Sequence, residues 1–203
     1  MLQEVIFDVE TQKLFNEITT NDPADLGISL VSVYVRQIND KQEEIGGTMY
    51  SFWDHELAGM WPLFEDAKRI IGFNSRKFDV PALSPRAPKN FSRLPHFDIM
   101  EFVRSALGFS LSLDSLVQHS LGREKTDVGT NAVKYWKSQN PQLLQKLKNY
   151  CEADVLLTRD LYDFGVKNKF LKYRDKWNNL LNIEVDFSYP KEVIDSTRQI
   201  GLF

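Results

Sequence analysis

Apolar positions in the first third of the chain come in short runs rather than at helical spacing. Leu2 to Val9 is one such run, Ile28 to Val35 (ISLVSVYV) is a second and rich in β-branched residues, and Thr48 to Trp53 follows the turn-forming pair Gly46-Gly47. Together they predict a three-stranded antiparallel meander. Asp54 then reads as the N-cap of a helix running through Leu57, Met60 and Leu63 to about Lys68. Arg69 to Phe73 and His96 to Ile99 are short buried-type strands with helical patterns between and after them, which implies parallel additions to the meander. Pro81 to Pro95 carries four prolines and predicts a loop. From Asp114 the spacing is helical, with Leu116, Val117 and Leu121 on one face, then Ala132 to Lys137. A long helix from about Pro141 to Val166 follows, with Pro141 suited to its first turn. Beyond Lys167 the sequence is basic and aromatic (KNKFLKYRDKW) and then less regular. With no repeat, low-complexity segment or second boundary, residues 1–203 read as one domain, a core of about 1–166 and a C-terminal extension of about 167–203.

Composition changes this picture little. Hydrophobic residues are 42% and charged residues 26% of the 203, as in ordinary globular proteins. No stretch approaches the roughly 18 apolar residues of a membrane span, and the N-terminus lacks a basic segment followed by an apolar one, so the expectation is a soluble, intracellular, cytoplasmic protein. Cys151 is the single cysteine, which excludes an internal disulfide and a cysteine-rich zinc site. The net charge of −3 argues weakly against a polyanionic ligand, unless several carboxylates hold divalent cations.

Candidate chemistry begins in the first strand. Asp8 and Glu10 are two residues apart in the run VIFDVET, so they share a strand face while Phe7 and Val9 take the other. Two like charges there are costly, and a divalent cation between them would remove most of the cost; an edge strand with a solvated acidic face is the plain alternative. The segment Gly72-Phe73-Asn74-Ser75-Arg76-Lys77-Phe78-Asp79 leaves a buried strand and enters a helix. Asn74 at its strand end suits either a helix cap or a ligand contact, and Asp79 lies among apolar residues. In the long helix, Tyr150 stacks one turn from Asp154 in YCEAD, on a core-facing stripe where a carboxylate requires a partner. That partner is either the Tyr150 hydroxyl or a cation.

Taken in order, FDVET, GFNSRKFDVPAL and YCEAD resemble the three motifs of the DEDD superfamily of 3′-to-5′ exonucleases, most closely the proofreading domain of family B DNA polymerases and its stand-alone relatives. The resemblance covers roughly Leu2 to Phe164, and Asp98 with the later LDSLVQHSLGREK resembles that group's region between the second and third motifs. One subclass has a histidine five residues before its last aspartate, and the other a tyrosine four before it. Asn149 and Tyr150 hold those positions here, so the chain resembles the tyrosine (DEDDy) subclass, and His55, His96 and His119 read as structural or surface residues.

The resemblance implies an α/β, RNase H-like (DnaQ-like exonuclease) fold with a five-stranded mixed sheet flanked by helices. It implies that Asp8, Glu10, Asp79 and Asp154 bind two Mg²⁺ or Mn²⁺ ions, hard cations suited to oxygen ligands. The implied reaction is hydrolysis at the 3′ end of single-stranded nucleic acid, DNA favoured, releasing nucleoside 5′-monophosphates. A phenol with a reference pKa near 10 stays protonated at neutral pH, so Tyr150 is better read as orienting water than as a base. Substrate contacts are expected from Thr11, Asn74, Phe78 and Lys125, and from Phe15 or Leu14 as a wedge against the terminal base, core packing being the alternative for these last two. Arg123 and the loop bases Arg86, Lys89 and Arg93 are either phosphate contacts or a solvated face. Two other readings stay open: a catalytically silent nucleic-acid-binding or scaffold domain, and an exoribonuclease or oligonucleotidase. A polymerase or helicase partner and a free-standing repair or degradation role are both compatible with the chain.

Overall fold

A computed structural model describes residues 1–123, 129–190 and 193. Five strands form one mixed sheet: β1 (Leu2–Thr11), β2 (Ile28–Ile38), β3 (Glu44–Trp53), β4 (Arg69–Gly72) and β5 (His96–Asp98), in the order β3-β2-β1-β4-β5. The first three pair antiparallel, while β4 and β5 add in parallel on the other side of β1. This is the expected α/β architecture, and β1 is its central strand.

Strand alternation sorts the core into two layers. Val5, Phe7 and Val9 of β1 pack with Val31 and Val33 of β2 against Leu57, Met60, Phe64, Leu83 and Phe91. The opposite face of β1 carries Glu4, Ile6, Asp8 and Glu10, and Ile6 packs there with Val155, Leu161 and Tyr162. Those three belong to the long helix Pro141–Asn168, whose start is set by Asn140, which accepts hydrogen bonds from the N–H groups of Gln142 and Leu143 at 2.9 and 3.3 Å. The remaining α-helices are α1 (Pro62–Glu65), α2 (Asp79–Leu83), α3 (Ile99–Leu107), α4 (Leu113–Leu121) and α5 (Gly129–Ser138), so the long helix is α6. Among the described residues, no helix is long and apolar enough to cross a membrane.

Four local expectations are corrected. Gly46-Gly47 is not a turn but part of β3: Tyr34 of β2 lies across Gly47, where a Cβ would come within 2.3 Å of its hydroxyl. The turn is made instead by Asn39, whose Oδ1 accepts the N–H groups of Lys41 and Glu43 at 2.9 Å each, with Gln42 at φ 62°. The helix expected from Asp54 to Lys68 is a 3₁₀ turn (Asp54–Gly59) followed by the single turn α1, because Pro62 starts a new helix. The proline-rich stretch is not all loop, since α2 runs to Leu83 and Phe91–Arg93 forms a 3₁₀ turn.

The fourth correction concerns the C-terminal extension, which begins as a regular hairpin, β6 (Phe170–Arg174) with β7 (Leu180–Glu184). Leu171, Tyr173 and Ile183 face inward and join the core on the α6 side. Phe187 then stacks on Tyr162, rings 5.6 Å apart, and lies so close to Gly165 of α6 that a Cβ there would meet its ring at 2.4 Å. Arg69 donates to the carbonyls of Phe187 at 2.7 Å and Ser188 at 3.0 Å.

Candidate active site

Asp8 and Glu10 emerge on the α6 face near the C-terminal end of β1, opposite Ser32 and Leu30 of β2. A register shift between Glu10 and Thr11 ends the pairing there. The antiparallel course of α6 brings Tyr150 and Asp154 over this end of the strand. Asp79 arrives from the other side, as the first residue of α2. Its position depends on Asp98 at the end of β5, which accepts from Asn74 N at 2.8 Å and Arg76 N at 3.0 Å, and thereby fixes the turn leading to α2. Asp98 also caps α3 through Met100 N at 3.0 Å. Asn74 itself takes a left-handed backbone (φ 61°), and the residue capping α2 is Phe78.

A cleft of about 310 Å³ opens at this junction. Asp8, Glu10, Thr11, Phe15, Asn74, Phe78, Asp79, Tyr150 and Asp154 all line it. Of the residues singled out from sequence, Lys125 lies outside the described residues. Phe15 is 45% exposed and meets Phe78 edge-to-face, centroids 6.1 Å apart, so it rests on the cleft wall rather than in the core. Arg86, Lys89, Arg93 and Arg123 do not line the cleft; Arg86 pairs with Asp54 at 3.1 Å, and Arg123 pairs with Asp160. Lys13 lines it and was missed, because a lone lysine after the first motif carries no spacing signal. The histidines lie elsewhere: His96 is buried beside Phe91, with Nε2 2.9 Å from that residue's carbonyl oxygen, and burial lowers its pKa.

The electrostatics are strained in one direction. Among the described residues the lining holds four carboxylates and one lysine. Asp79 is 3% exposed and its Oδ1 has no hydrogen-bond partner. Burial, with Asp98 nearby, pushes its pKa up to about 7. Tyr150 donates to Asp154, and burial together with the charges of Asp154, Glu10 and Asp8 drives its phenol far above the usual tyrosine value. Behind the carboxylates sits Cys151, fully buried, its Sγ 3.5 Å from the Asp8 carbonyl oxygen and 3.8 Å from Asp8 Oδ2. Ligand atoms of Asp8, Glu10 and Cys151 all lie within 4.8 Å of one another.

The sheet order, the helix across it and this acidic end of β1 agree with a family-level match: the model for the RNase H superfamily aligns with residues 5–165. The chain belongs to the RNase H superfamily. No curated protein matches it significantly. Among solved structures, one described as the apo form of a nuclease is 17% identical, with a TM-score of 0.49 over 82% of this chain and 72% of its own.

RNase H-like nucleases generally use divalent metal ions, and the residues here fit such ions. The donors are carboxylate oxygens, which suit hard cations. The orphaned Asp79 Oδ1 is a buried acceptor whose cost a cation would cancel. The superfamily fold thus presents a cleft suited to metal-assisted hydrolysis of nucleic acid.

Proposed function

We propose that this chain is a 3′-to-5′ exonuclease of the tyrosine (DEDDy) subclass that removes nucleoside 5′-monophosphates from single-stranded nucleic acid, DNA favoured. The observation that carries this reading is the meeting of Asp8, Glu10, Asp79, Asp154 and Tyr150 in one cleft, from three separate segments of chain. Asp8, Glu10 and Asp154 would hold one Mg²⁺ or Mn²⁺ ion, with Asp8 and Asp79 serving a second. Bound there, the ions supply charge neutralisation at the phosphate and activation of water.

The chain's own groups divide the remaining work. Tyr150 stays protonated across the physiological range: its single O–H donates to Asp154, and its oxygen, as an acceptor, orients the attacking water rather than deprotonating it. Phe15 and Phe78 form an aromatic wall for the terminal base, a contact that tolerates any sequence. Thr11 and Asn74 line the cleft, where they would hold a sugar or phosphate oxygen. Among the described residues of the wall, Lys13 adds the one cation, a charge available to a substrate phosphate.

The test is to incubate the protein with 5′-labelled single-stranded DNA, duplex DNA and RNA in Mg²⁺, Mn²⁺ or chelator, beside Asp154→Ala. Stepwise shortening from the 3′ end, abolished by chelator and by the substitution, is the expected result. If no polymer shortens under any metal condition, or Asp154→Ala digests like the parent, the reading fails. Tight binding without cleavage would favour a silent nucleic-acid-binding domain.

A further inference from the structure

The basic and aromatic segment that follows α6 is not used by the cleft. Residues 167–177 hold five cations, Lys167, Lys169, Lys172, Arg174 and Lys176, against one acid, Asp175, in a chain whose net charge is −3. The hairpin sorts them. Leu171 and Tyr173 face the core, whereas Phe170, Lys172 and Arg174 face outward, opposite Glu184, Asn182 and Leu180 of β7. At the tip, Asp175 is consumed by the turn: it accepts the N–H groups of Trp177 and Asn179 at 2.9 Å each and the Asn179 side-chain amide at 3.0 Å. Arg174 donates to the Asn178 carbonyl at 2.6 Å. This well-bonded turn holds Trp177 outward, 71% exposed, with the Lys176 ammonium 4.3 Å from its ring centroid.

The same character continues along α6. Phe164 meets Phe170 edge-to-face at 5.8 Å, beside a groove of about 570 Å³ between α6 and the end of α4. In that groove Arg123 and Arg159 share one carboxylate, Asp160, and Asp163 is engaged by Arg36 of β2, so positive charge is left over together with Lys167.

We infer that the outward face of the hairpin, from Phe170 and Lys172 to Trp177, is a second docking surface for single-stranded nucleic acid, which rests on the reading of the cleft as the place where the strand's end is cut. Two rings, Phe170 and Trp177, at either end of the cations Lys172, Arg174 and Lys176 offer base stacking and phosphate neutralisation together, the combination that binds single strands without sequence preference. An apolar protein partner would not account for cations at two of the three outward positions of β6, Lys172 and Arg174, with Lys176 beside Trp177 at the tip. From Asp154 to the end of α6 is 14 residues, about 21 Å at 1.5 Å per residue, so a strand must be several nucleotides long to reach both places.

The experiment compares Trp177→Ala and Lys172→Glu/Lys176→Glu with the parent, all also carrying Asp154→Ala so that substrate survives. Binding of a fluorescent 20-nucleotide single-stranded DNA and of a tetranucleotide is followed by anisotropy at two salt concentrations, with thermal melts to check folding. Each hairpin variant is expected to weaken 20-mer binding about tenfold while leaving the tetranucleotide unaffected, the charge variant is expected to flatten the salt dependence, and Trp177→Phe to recover most of the loss. Unchanged 20-mer binding in both variants overturns the inference, as does equal weakening for both lengths. If hairpin-dependent binding is found but the parent shortens no polymer, the docking surface stands and the exonuclease reading falls. If the parent digests the 20-mer and the hairpin variants bind it as well as the parent does, the reverse holds.

Discussion

Strand β1 bears acids at both ends of one face, beneath the same helix, and the two ends are handled in opposite ways. At one end Glu4 is fully buried yet completely answered: Arg36, its cross-strand neighbour, contacts it at 2.7 Å, Tyr189 donates to it at 2.7 Å and Tyr162 at 3.3 Å. Arg36 also binds Asp163 at 2.6 Å and Glu44 at 3.2 Å, and Arg69 donates to the Tyr162 hydroxyl at 2.5 Å. At the other end Asp8 and Glu10 meet Asp79 and Asp154 around an open cleft with, among the described residues, one lysine in its wall. Where the chain brings its own cations the carboxylate is structural. Where it gathers carboxylates and leaves Asp79 Oδ1 orphaned, the site is one that a proton or a cation would relieve.

The harshest way to break the contrast is Arg36→Ala. It strips the cation from buried Glu4 and leaves Asp163 and Glu44 without their shared partner, so a loss of about 3–5 kcal/mol in unfolding free energy is expected by chemical denaturation. The mirror substitution at the other end is Asp8→Asn. Removing one of several crowded negative charges should leave stability unchanged or slightly raised, while hydrolysis falls by about a thousandfold, or about 4 kcal/mol of barrier. If Asp8→Asn destabilised the fold as much as Arg36→Ala does, the two ends would not differ in kind.

The sequence showed the two ends unequally. Asp8 and Glu10 stood out because their two-residue spacing falls within a recognisable run, and Tyr150 and Asp154 because a four-residue spacing shares a helix face. The compensated end left no such trace. Glu4, Arg36, Arg69, Asp163 and Tyr189 are scattered over nearly the whole chain, and only the pairing of Glu4 with both Arg36 and Arg69 across β1 joins them. Asp98 was noticed by position, but its work in fixing the turn before Asp79 depends on contacts some 22 to 24 residues back. The hairpin was missed for a local reason. Its alternation of apolar and polar residues spans only four residues in each strand, Leu171 to Arg174 and Leu181 to Glu184, and the connection between them, Asp175 to Asn179, holds no glycine or proline to announce a turn. Gly46-Gly47 misled in the opposite direction, since Gly47 serves close approach of Tyr34 rather than a turn.

A smaller effect sharpens the contrast through pH. Asp79 has its folded-state pKa pushed up to about 7 by burial, above the unfolded carboxyl value near 3.9. Between those values the folded state binds more protons than the unfolded state, so this group's contribution is most favourable at the low end and is lost as pH rises through about 7. In chelator, the melting temperature of Asp79→Asn should therefore gain on the parent as pH rises from about 5 towards about 7 and level off above that. Saturating Mn²⁺ should cancel the gain by stabilising the parent's ionised carboxylate. A gain that is the same at every pH, or that persists in Mn²⁺, would mean that Asp79 is not the titrating acid of the cleft.

The finest probe is a matched pair of phenols, one at each end. Tyr189→Phe keeps the ring over which Arg69 lies, 3.8 Å from its centroid, and removes only the hydrogen bond to Glu4. About 1.5 kcal/mol of stability should go, a fall of roughly 3–6 °C in Tm, with kcat/KM for a labelled single strand unchanged. Tyr150→Phe removes the hydrogen bond to Asp154 next to an open cleft, where water can replace it. Its stability should therefore stay within about 0.5 kcal/mol of the parent while kcat falls about tenfold or more with little change in KM, because the phenol acts on the attacking water rather than on binding. If both substitutions cost stability and neither touched kcat, Tyr150 would be another member of a structural network, and the division between the two ends of β1 would rest on the carboxylates alone.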